Sequence, residues 1–368
     1  MKNISIYNTY ISPLATAQVS AVLNSTMLSE GELVKEFEKK LSVDLGIVNP
    51  VALNSGTTAL HLGLILANVK PGDEVIIPAQ TFVATGLAVL YMGAIPVFAD
   101  IDYTTGNIDP ISFKSKITEK TKAVIPVHWA GYPCEMDQLQ QIASQSSIKI
   151  IEDAAHALGA QFEGKAVGSI SDFTCFSFQA IKHITTGDGG AIACKNESDK
   201  NEAIVKRWFG IDRNNAHSSI LGERQYNISE IGYKYHLNDY GAALGIANLD
   251  GFKERLQHRE KIAKIYINGL KEEAGIQLFN HNEKNTSSNW LFGFHVDKRE
   301  DFILALKNEG IGASVIHQRI DRNSVFGGIR KELVNQAKFD LTQIHIPIHD
   351  NVTIEDAQFI VHTIKKGW

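Results

Sequence analysis

Apolar residues follow two rhythms along this chain. Short unbroken runs, such as Val51-Ala52-Leu53 and Val75-Ile76-Ile77, alternate with stretches in which apolar positions return every three or four residues. In the second kind, Val34, Phe37, Leu41 and Leu45 share one helical face behind Gly31. The pattern predicts strands at 51–53, 75–77, 95–99, 123–127, 148–151, 173–178 and 191–194. It predicts helices at 12–23, where Pro13 sits in the first turn, after Gly31, and at 57–67, 82–92 and 136–143. Residues 1–12 read as an irregular arm. Strands separated by helices in this order describe a doubly wound, mostly parallel α/β sheet, in which ligands sit at the carboxyl ends of strands.

Beyond residue 194 the rhythm changes. A helical segment around 204–208 precedes a polar loop, 214–226, with little periodicity. A small-residue helix follows at 241–247, and a long helical pattern runs on to about 273. The remainder reads as strand 290–296, helix 301–309, strand 313–316 and helix 354–364. The expectation is therefore a large domain, 1–250, and a small α+β domain, 251–368.

Composition narrows the function. The chain has 368 residues, 44% hydrophobic content and a formal charge of −5, enough for large cores and without a basic field for nucleic acid. No apolar run reaches membrane-spanning length and no signal-peptide pattern opens the chain, so the expected setting is the cytoplasm, with no membrane partner. Cys134, Cys175 and Cys194 make no zinc spacing and read as small core hydrophobes. Asp100 and Asp102 lack a third ligand nearby; they read as turn chemistry, and no metal is expected.

Three strand ends carry candidate chemistry. After strand 51–53, Asn54-Ser55-Gly56-Thr57-Thr58 opens a helix, and its free backbone N–H groups make an anion site. After strand 148–151 comes Glu152-Asp153-Ala154-Ala155-His156. After strand 173–178, Lys182 lies in a polar turn that returns through Gly187-Asp188-Gly189-Gly190. A lysine in a turn is usually a solvated surface residue. One held between buried strands has a lowered pKa and acts as an amine nucleophile. Pyridoxal phosphate needs an amine, an acid at its ring nitrogen, a phosphate cradle and a flat apolar face. Lys182, Asp153, the group Gly56, Thr57 and Ser177, and the ring of Phe82 offer these in turn.

Taken in order, Asn54-Ser55-Gly56-Thr57, Pro78-Ala79-Gln80-Thr81-Phe82-Val83-Ala84-Thr85, Glu152-Asp153-Ala154-Ala155-His156, and Ser177-Phe178-x-x-x-Lys182 with Thr186-Gly187-Asp188-Gly189-Gly190 resemble the DegT/DnrJ/EryC1/StrS aminotransferases. Those are sugar aminotransferases of the fold-type I pyridoxal phosphate class, and the likeness runs from about residue 10 to the end of the chain. The resemblance implies that Lys182 is the Schiff-base lysine and proton carrier and that Asp153 pairs with the ring nitrogen. It implies that Phe82 stacks on the ring and that Gly56, Thr57 and Ser177 hold the phosphate. His156 stands where many members have Gln and would contact the ring hydroxyl.

Three departures stand out. Lys234 occupies a position where Asn often reaches the neighbouring subunit's phosphate, and a lysine offers a point charge there. His236 replaces a frequent Arg. The stretch His317-Gln318-Arg319-Ile320-Asp321-Arg322-Asn323 replaces a His-Tyr-Pro-Pro-Leu-His-like loop, and Arg319 or Arg322 would bind a diphosphate or carboxylate. His183, beside the lysine, is a further candidate for substrate contact. Members with His in place of the lysine are dehydratases, so the presence of Lys182 favours transamination. The implied reaction takes an amino group from L-glutamate, through pyridoxamine phosphate, to a keto sugar. A nucleotide-linked 4-keto or 3-keto deoxyhexose for polysaccharide, lipopolysaccharide or glycoside biosynthesis comes first. A non-nucleotide acceptor (an inosose or keto-acid sugar) comes second, and a non-catalytic cofactor-binding sensor last. Shared active sites imply a homodimer.

Overall fold

The computed structural model describes residues 3–213 and 215–368. Met1, Lys2 and Asn214 lie outside it, and with them the first positions of the expected arm and of the polar loop. Helices are α1 (Ala15–Ser25), α2 (Glu32–Leu45), α3 (Gly56–Leu66), α4 (Val83–Tyr91), α5 (Pro110–Ser115), α6 (Met136–Gln145), α7 (Glu197–Lys206), α8 (Asp239–Leu249), α9 (Phe252–Leu270), α10 (Arg299–Asn308), α11 (Val334–Thr342) and α12 (Ile354–Ile364).

The principal sheet contains β1 (Pro50–Leu53), β2 (Glu74–Pro78), β3 (Ile95–Ala99), β4 (Thr121–Val124), β5 (Lys149–Asp153), β6 (Phe173–Ser177) and β7 (Gly190–Cys194). Its order is β1-β7-β6-β5-β4-β2-β3. Strands β3 to β6 pair in parallel through β2, β4 and β5, while β7 runs antiparallel between β1 and β6. β7 returns antiparallel to β6 through the Lys182 turn, residues 178–189, which holds no crossover helix of the kind a parallel return uses. Strands buried on both faces explain the unbroken apolar runs: Val51, Ala52, Leu53, Val75, Ile76 and Ile77 are all fully buried.

On α2 the helical face read from sequence packs as expected. Val34, Phe37 and Leu41 are fully buried, each worth about 1.5–3 kcal/mol of transfer free energy. Phe37 meets Phe178 edge-on at 5.3 Å between ring centres, so α2 braces the strand end that leads to Lys182. The small residues of α8 serve the same end. A Cβ at Gly245 would lie 2.7 Å from the Phe37 ring and 2.8 Å from the Thr186 methyl, so only glycine admits this close approach.

A second, antiparallel sheet is formed by β8 (Ile276–Leu278), β9 (Phe292–Val296) and β10 (Gln343–Ile346), with β9 central. Here the sequence reading needs correction. Residues 313–316 contribute only a single bridge, from Ser314 to His345. The N-terminal arm takes the neighbouring hydrogen bonds: Ile4 N–H donates to the Gly310 carbonyl, and Gly312 N–H to that of Ile4. β8, β10 and α11 escaped the reading, because their apolar residues form no long face of either period. The small-residue helix and the long helical pattern after it are α8 and α9, as read, and they part where Gly251 takes a left-handed φ of +64°. We propose that break as the boundary between the two units, with Ile4 reaching across to pack in the second core. The polar loop holds a short hairpin, His217–Ser218 with Arg224–Gln225.

Asp100 and Asp102 act in turns and caps. Asp102 accepts from the Thr104 N–H and hydroxyl, and Asp100 accepts from Asn335 and Gln336 N–H at 2.9 and 2.8 Å, capping α11. All three cysteines are buried and free.

Candidate active site

Strand β1 delivers its chain into the N-terminus of α3. Ser55 caps that helix, its hydroxyl accepting the Thr58 N–H at 3.1 Å, which leaves the amides of Gly56 and Thr57 in the first turn facing outward. A Cβ at Gly56 would lie 2.9 Å from Cβ of Ser177, at the end of β6. Glycine is thus what lets the helix N-terminus and Ser177 share one small space. On the other side, a Cβ at Gly190 would run into the Ser55 carbonyl. Three elements therefore converge on a cradle of backbone amides and hydroxyls, the chemistry of a phosphate site. Gly56→Ala should strain this junction by about 1–3 kcal/mol. The expected result is at least tenfold weaker binding of pyridoxal phosphate, read by titrating dialysed enzyme.

Asp153 ends β5, 6% exposed. Its Oδ2 accepts from the Thr85 hydroxyl at 2.7 Å, and Thr85 in turn meets the Thr81 hydroxyl at 2.7 Å. Its Oδ1 accepts the Ala155 N–H at 3.1 Å. Burial pushes the Asp153 carboxyl above its ordinary value, while the Thr85 bond, the Ala155 amide and the Lys182 charge pull it back. The carboxylate is thus aimed and kept available by neighbours that favour its charged form. The sheet fixes the backbone too: Asp153 N–H donates to Pro126 and its carbonyl accepts from His128 N–H. Behind it, Cys134 N–H donates to Nδ1 of His128, which sets Nε2–H to donate to Glu152 at 2.7 Å. Thr85→Val removes one bond to a charged group. The expected result is roughly tenfold lower kcat, a loss of about 1.4 kcal/mol, with an unchanged melting midpoint. Because that bond lowers the Asp153 pKa, its removal should move the acid limb of the pH–rate profile upward.

His156 is buried one turn beyond Asp153. Its ring stacks on Trp290 at 3.8 Å and meets Trp129 edge-on at 5.6 Å. Burial, and then the Lys182 charge, hold its pKa well below the ordinary value. Its Nδ1 is buried with no hydrogen-bond partner within the chain. Such a group carries an unmet demand that a ligand's hydroxyl would satisfy.

Lys182 occupies the turn between β6 and β7. The turn is closed by Lys182 N–H to Gln179, Phe178 N–H to Gly189 and Thr186 N–H to Phe178, and Gly187 takes a φ of +88°. Burial lowers the lysine pKa from 10.5 to about 7, against an opposing pull from Asp153. Its Nζ lies 3.9 Å from the centre of the Trp290 ring. The Phe82 ring, 54% exposed at the start of α4, offers a free face and is tilted against His317 at 5.2 Å.

Two readings need correction, one in the lid loop and one in the lysine turn. Arg319 is buried, and its Nε and Nη2 donate to Asp321 at 2.7 and 2.6 Å; Nη2 also reaches the Arg330 carbonyl. This paired guanidinium folds the loop and is not presented to a substrate. His183 is buried too, its Nε2 against the Ser288 carbonyl at 2.9 Å and its ring edge-on to Phe252, so it anchors the lysine turn from below. Arg322 is exposed. What the loop brings to the site is His317, whose ring meets those of Phe82, Trp129 and His156. Burial and the Lys182 charge lower its pKa to about 4. Gln80 holds the loop in place, donating to the His317 carbonyl at 3.2 Å, while Ile320 N–H donates to Ala79. Lys234 is exposed, but its carbonyl accepts from Asn54 Nδ2 at 3.1 Å, which puts this residue beside the cradle. His236 packs edge-on against Trp208 at 4.2 Å and meets the Ser29 hydroxyl at 3.4 Å.

Sequence reasoning missed Thr85, Trp129, Trp290 and His317 as site residues. Thr81 and Thr85 carried a signal, since two hydroxyls four apart near a helix start face the same way. The others arrive by long-range packing and left no local trace.

The residues present fit pyridoxal phosphate: an amine at Lys182, an aimed acid at Asp153, a glycine-dependent anion cradle, an orphaned donor–acceptor at His156 and an open aromatic face at Phe82. Comparison with known proteins agrees. Residues 10–365 match the DegT/DnrJ/EryC1/StrS aminotransferase family. The chain is 34% identical to a GDP-perosamine synthase of Escherichia coli O157:H7 over 73% of each chain. It is 31% identical to a UDP-4-amino-4,6-dideoxy-N-acetyl-beta-L-altrosamine transaminase of Campylobacter jejuni over 95% of each. Among solved structures, the sugar aminotransferase CalS13 of Micromonospora echinospora superposes with a TM-score of 0.94 at 31% identity, covering 99% of this chain and 100% of that one. Spr1654 of Streptococcus pneumoniae, solved in pyridoxamine and pyridoxal phosphate forms, gives 0.91 at 31% identity, covering 99% of this chain and 97% and 98% of the two forms. The chain belongs to the DegT/DnrJ/EryC1/StrS family and is a pyridoxal phosphate-dependent sugar aminotransferase of the fold-type I α/β class.

Proposed function

We propose that this enzyme moves the amino group of L-glutamate onto a nucleotide-linked keto sugar, a 4-keto or 3-keto deoxyhexose, for polysaccharide, lipopolysaccharide or glycoside biosynthesis in the cytoplasm. The observation that carries the reading is the Lys182 amine, desolvated to a pKa of about 7 and set opposite the hydroxyl-aimed carboxylate of Asp153. Bound pyridoxal phosphate supplies the electron sink that loosens a C–H bond beside the migrating nitrogen. Asp153 keeps a negative charge at the ring nitrogen, and His156 Nδ1 accepts or donates at the ring hydroxyl. Lys182 takes the proton from one carbon and returns it to the other, which its near-neutral pKa suits. The cradle of Gly56, Thr57 and Ser177 would hold the phosphate, and Phe82 would offer its free face to the ring.

The names of the two relatives support a nucleotide-linked acceptor, since both handle sugars carried on a nucleoside diphosphate. A homodimer is supported by Lys234, exposed beside the cradle, and by exposed apolar side chains on the loop before it, where Ile220, Leu221 and Ile231 are 101%, 86% and 77% exposed. No helix among the described residues is long and apolar enough to cross a membrane.

The test of the acceptor uses enzyme first converted by L-glutamate to the pyridoxamine phosphate form. Nucleotide-linked 4-keto and 3-keto deoxysugars, the free sugars and an inosose are then offered in turn. Return of the pyridoxal absorbance with a nucleotide-linked sugar at concentrations that leave the others inert supports the proposal. A faster return with the free sugar or the inosose overturns it.

A further inference from the structure

We propose that Trp290 is a positioning residue that holds the Lys182 amine over its indole face whenever that amine is not bonded to the cofactor. The inference rests on Lys182 being the reacting amine, as above. A transaminase lysine alternates between a bonded state and a free one, and in the free state a flexible four-carbon side chain must still sit where its proton is needed. Three contacts of Trp290 address that need. Its ring centre lies 3.9 Å from Lys182 Nζ, within cation–π range. Its Nε1–H donates to the Ile181 carbonyl at 3.0 Å, fixing the turn one residue before the lysine. Its other neighbour is the His156 ring, stacked at 3.8 Å and 18°, so the indole also orients the residue assigned to the cofactor's hydroxyl.

Trp290 is itself held firmly. It is 3% exposed, and the 287–291 strap around it is tied to the loops it serves. Ser288 N–H donates to Gly131, Leu291 N–H to Ala130, and the Ser288 hydroxyl to the His156 carbonyl. The Ser288 carbonyl receives His183. The strap leads directly into β9, so the second sheet reaches the lysine turn through this indole and through the Ser288 carbonyl. Other charged or titratable groups around the amine are Asp153 and His156 on the β5 turn, His183 on its own turn and His317 on the lid loop. Of these only Asp153 favours the ammonium, and the indole face adds to it.

The test uses the full-length enzyme in its pyridoxamine phosphate form, where Lys182 is free. Cyanate carbamylates neutral amines, and peptide mass spectrometry reads the pH at which Lys182 is half-maximally labelled. Trp290→Leu removes the ring face and should lower that midpoint by about half a pH unit or more. Trp290→Phe keeps a ring face, loses only the Nε1–H bond and should stay closer to the parent. Melting curves establish that each variant is folded; if Trp290→Leu is not, Trp290→Met is read in its place. kcat for both half-reactions should fall in the Leu or Met variant with KM little changed, and recover in Phe. A midpoint in Leu or Met equal to the parent's, or a Phe midpoint displaced as far as theirs, overturns the proposal. Failure of the underlying reading has a different signature: Lys182→Ala would keep the visible absorbance of lysine-bound cofactor.

Discussion

Replacing Lys182 by alanine is expected to abolish turnover while leaving the fold intact. In the proposed mechanism Lys182 both bonds the cofactor and carries the proton, so its loss would remove two functions at once. General acid–base transfer alone is worth about 10²–10⁴-fold, and the loss should exceed that range. The absorbance that pyridoxal phosphate acquires on bonding to a lysine should vanish, while the cofactor is retained through the Gly56–Ser177 cradle. The pH dependence has a defined sign. Burial stabilises the neutral amine, so its proton-accepting form dominates above about pH 7 and is lost as pH falls through that value. The same shift acts on stability in cofactor-free enzyme. Between about pH 7 and the ordinary lysine value of 10.5 the unfolded chain binds the proton and the folded chain does not, so stability rises with pH across that window. Lys182→Met should flatten the rise, which melting curves at several pH values would read. A pH-independent difference between the two proteins would contradict the burial argument.

Asp153→Asn carries the second large effect. An amide at this place keeps the volume and can still accept from Thr85, but it cannot hold a full negative charge at the ring nitrogen. The ring would then lose its proton and most of its power to withdraw electrons. A fall in kcat of about a thousandfold or more is expected, which is about 4 kcal/mol at 1.36 kcal/mol per decade. Cofactor binding should weaken far less, because the phosphate cradle is untouched. Asp153→Glu should not restore the rate, since the extra methylene displaces the carboxylate from the Thr85 hydroxyl that aims it. An Asn variant within tenfold of the parent would mean that the carboxylate serves the sheet and not the ring.

Much of the principal domain was legible because its elements carry strong local signals. Strands buried on both faces write unbroken apolar runs, and the Ser55 cap and Gly187 turn write their own residues. The placement of Gly56, Asp153, Ser177 and Lys182 was legible for the same reason, since each lies at or just beyond the end of a strand. The second unit was harder. β8 is three residues long, β10 is four, too short for its alternating Ile344 and Ile346 to stand out, and 313–316 keeps only the Ser314 bridge to β10 while Ile4 pairs with the residues just before it. The lid loop misled for an electrostatic reason. Two arginines beside a cleft suggest an anion, but Asp321, two residues from Arg319, had already claimed one of them. His183 misled by adjacency, as neighbours in a turn point to opposite sides. Trp290 could not be found by any local rule, being more than a hundred residues from the lysine it covers.

The most direct test of the account is a single half-reaction. Purified enzyme holding pyridoxal phosphate is mixed with L-glutamate and no acceptor, and its absorbance and the 2-oxoglutarate released are followed together. The account predicts that the band of lysine-bound cofactor disappears as one equivalent of 2-oxoglutarate forms per active site. A band that persists with glutamate and with every other amino donor tried would contradict it.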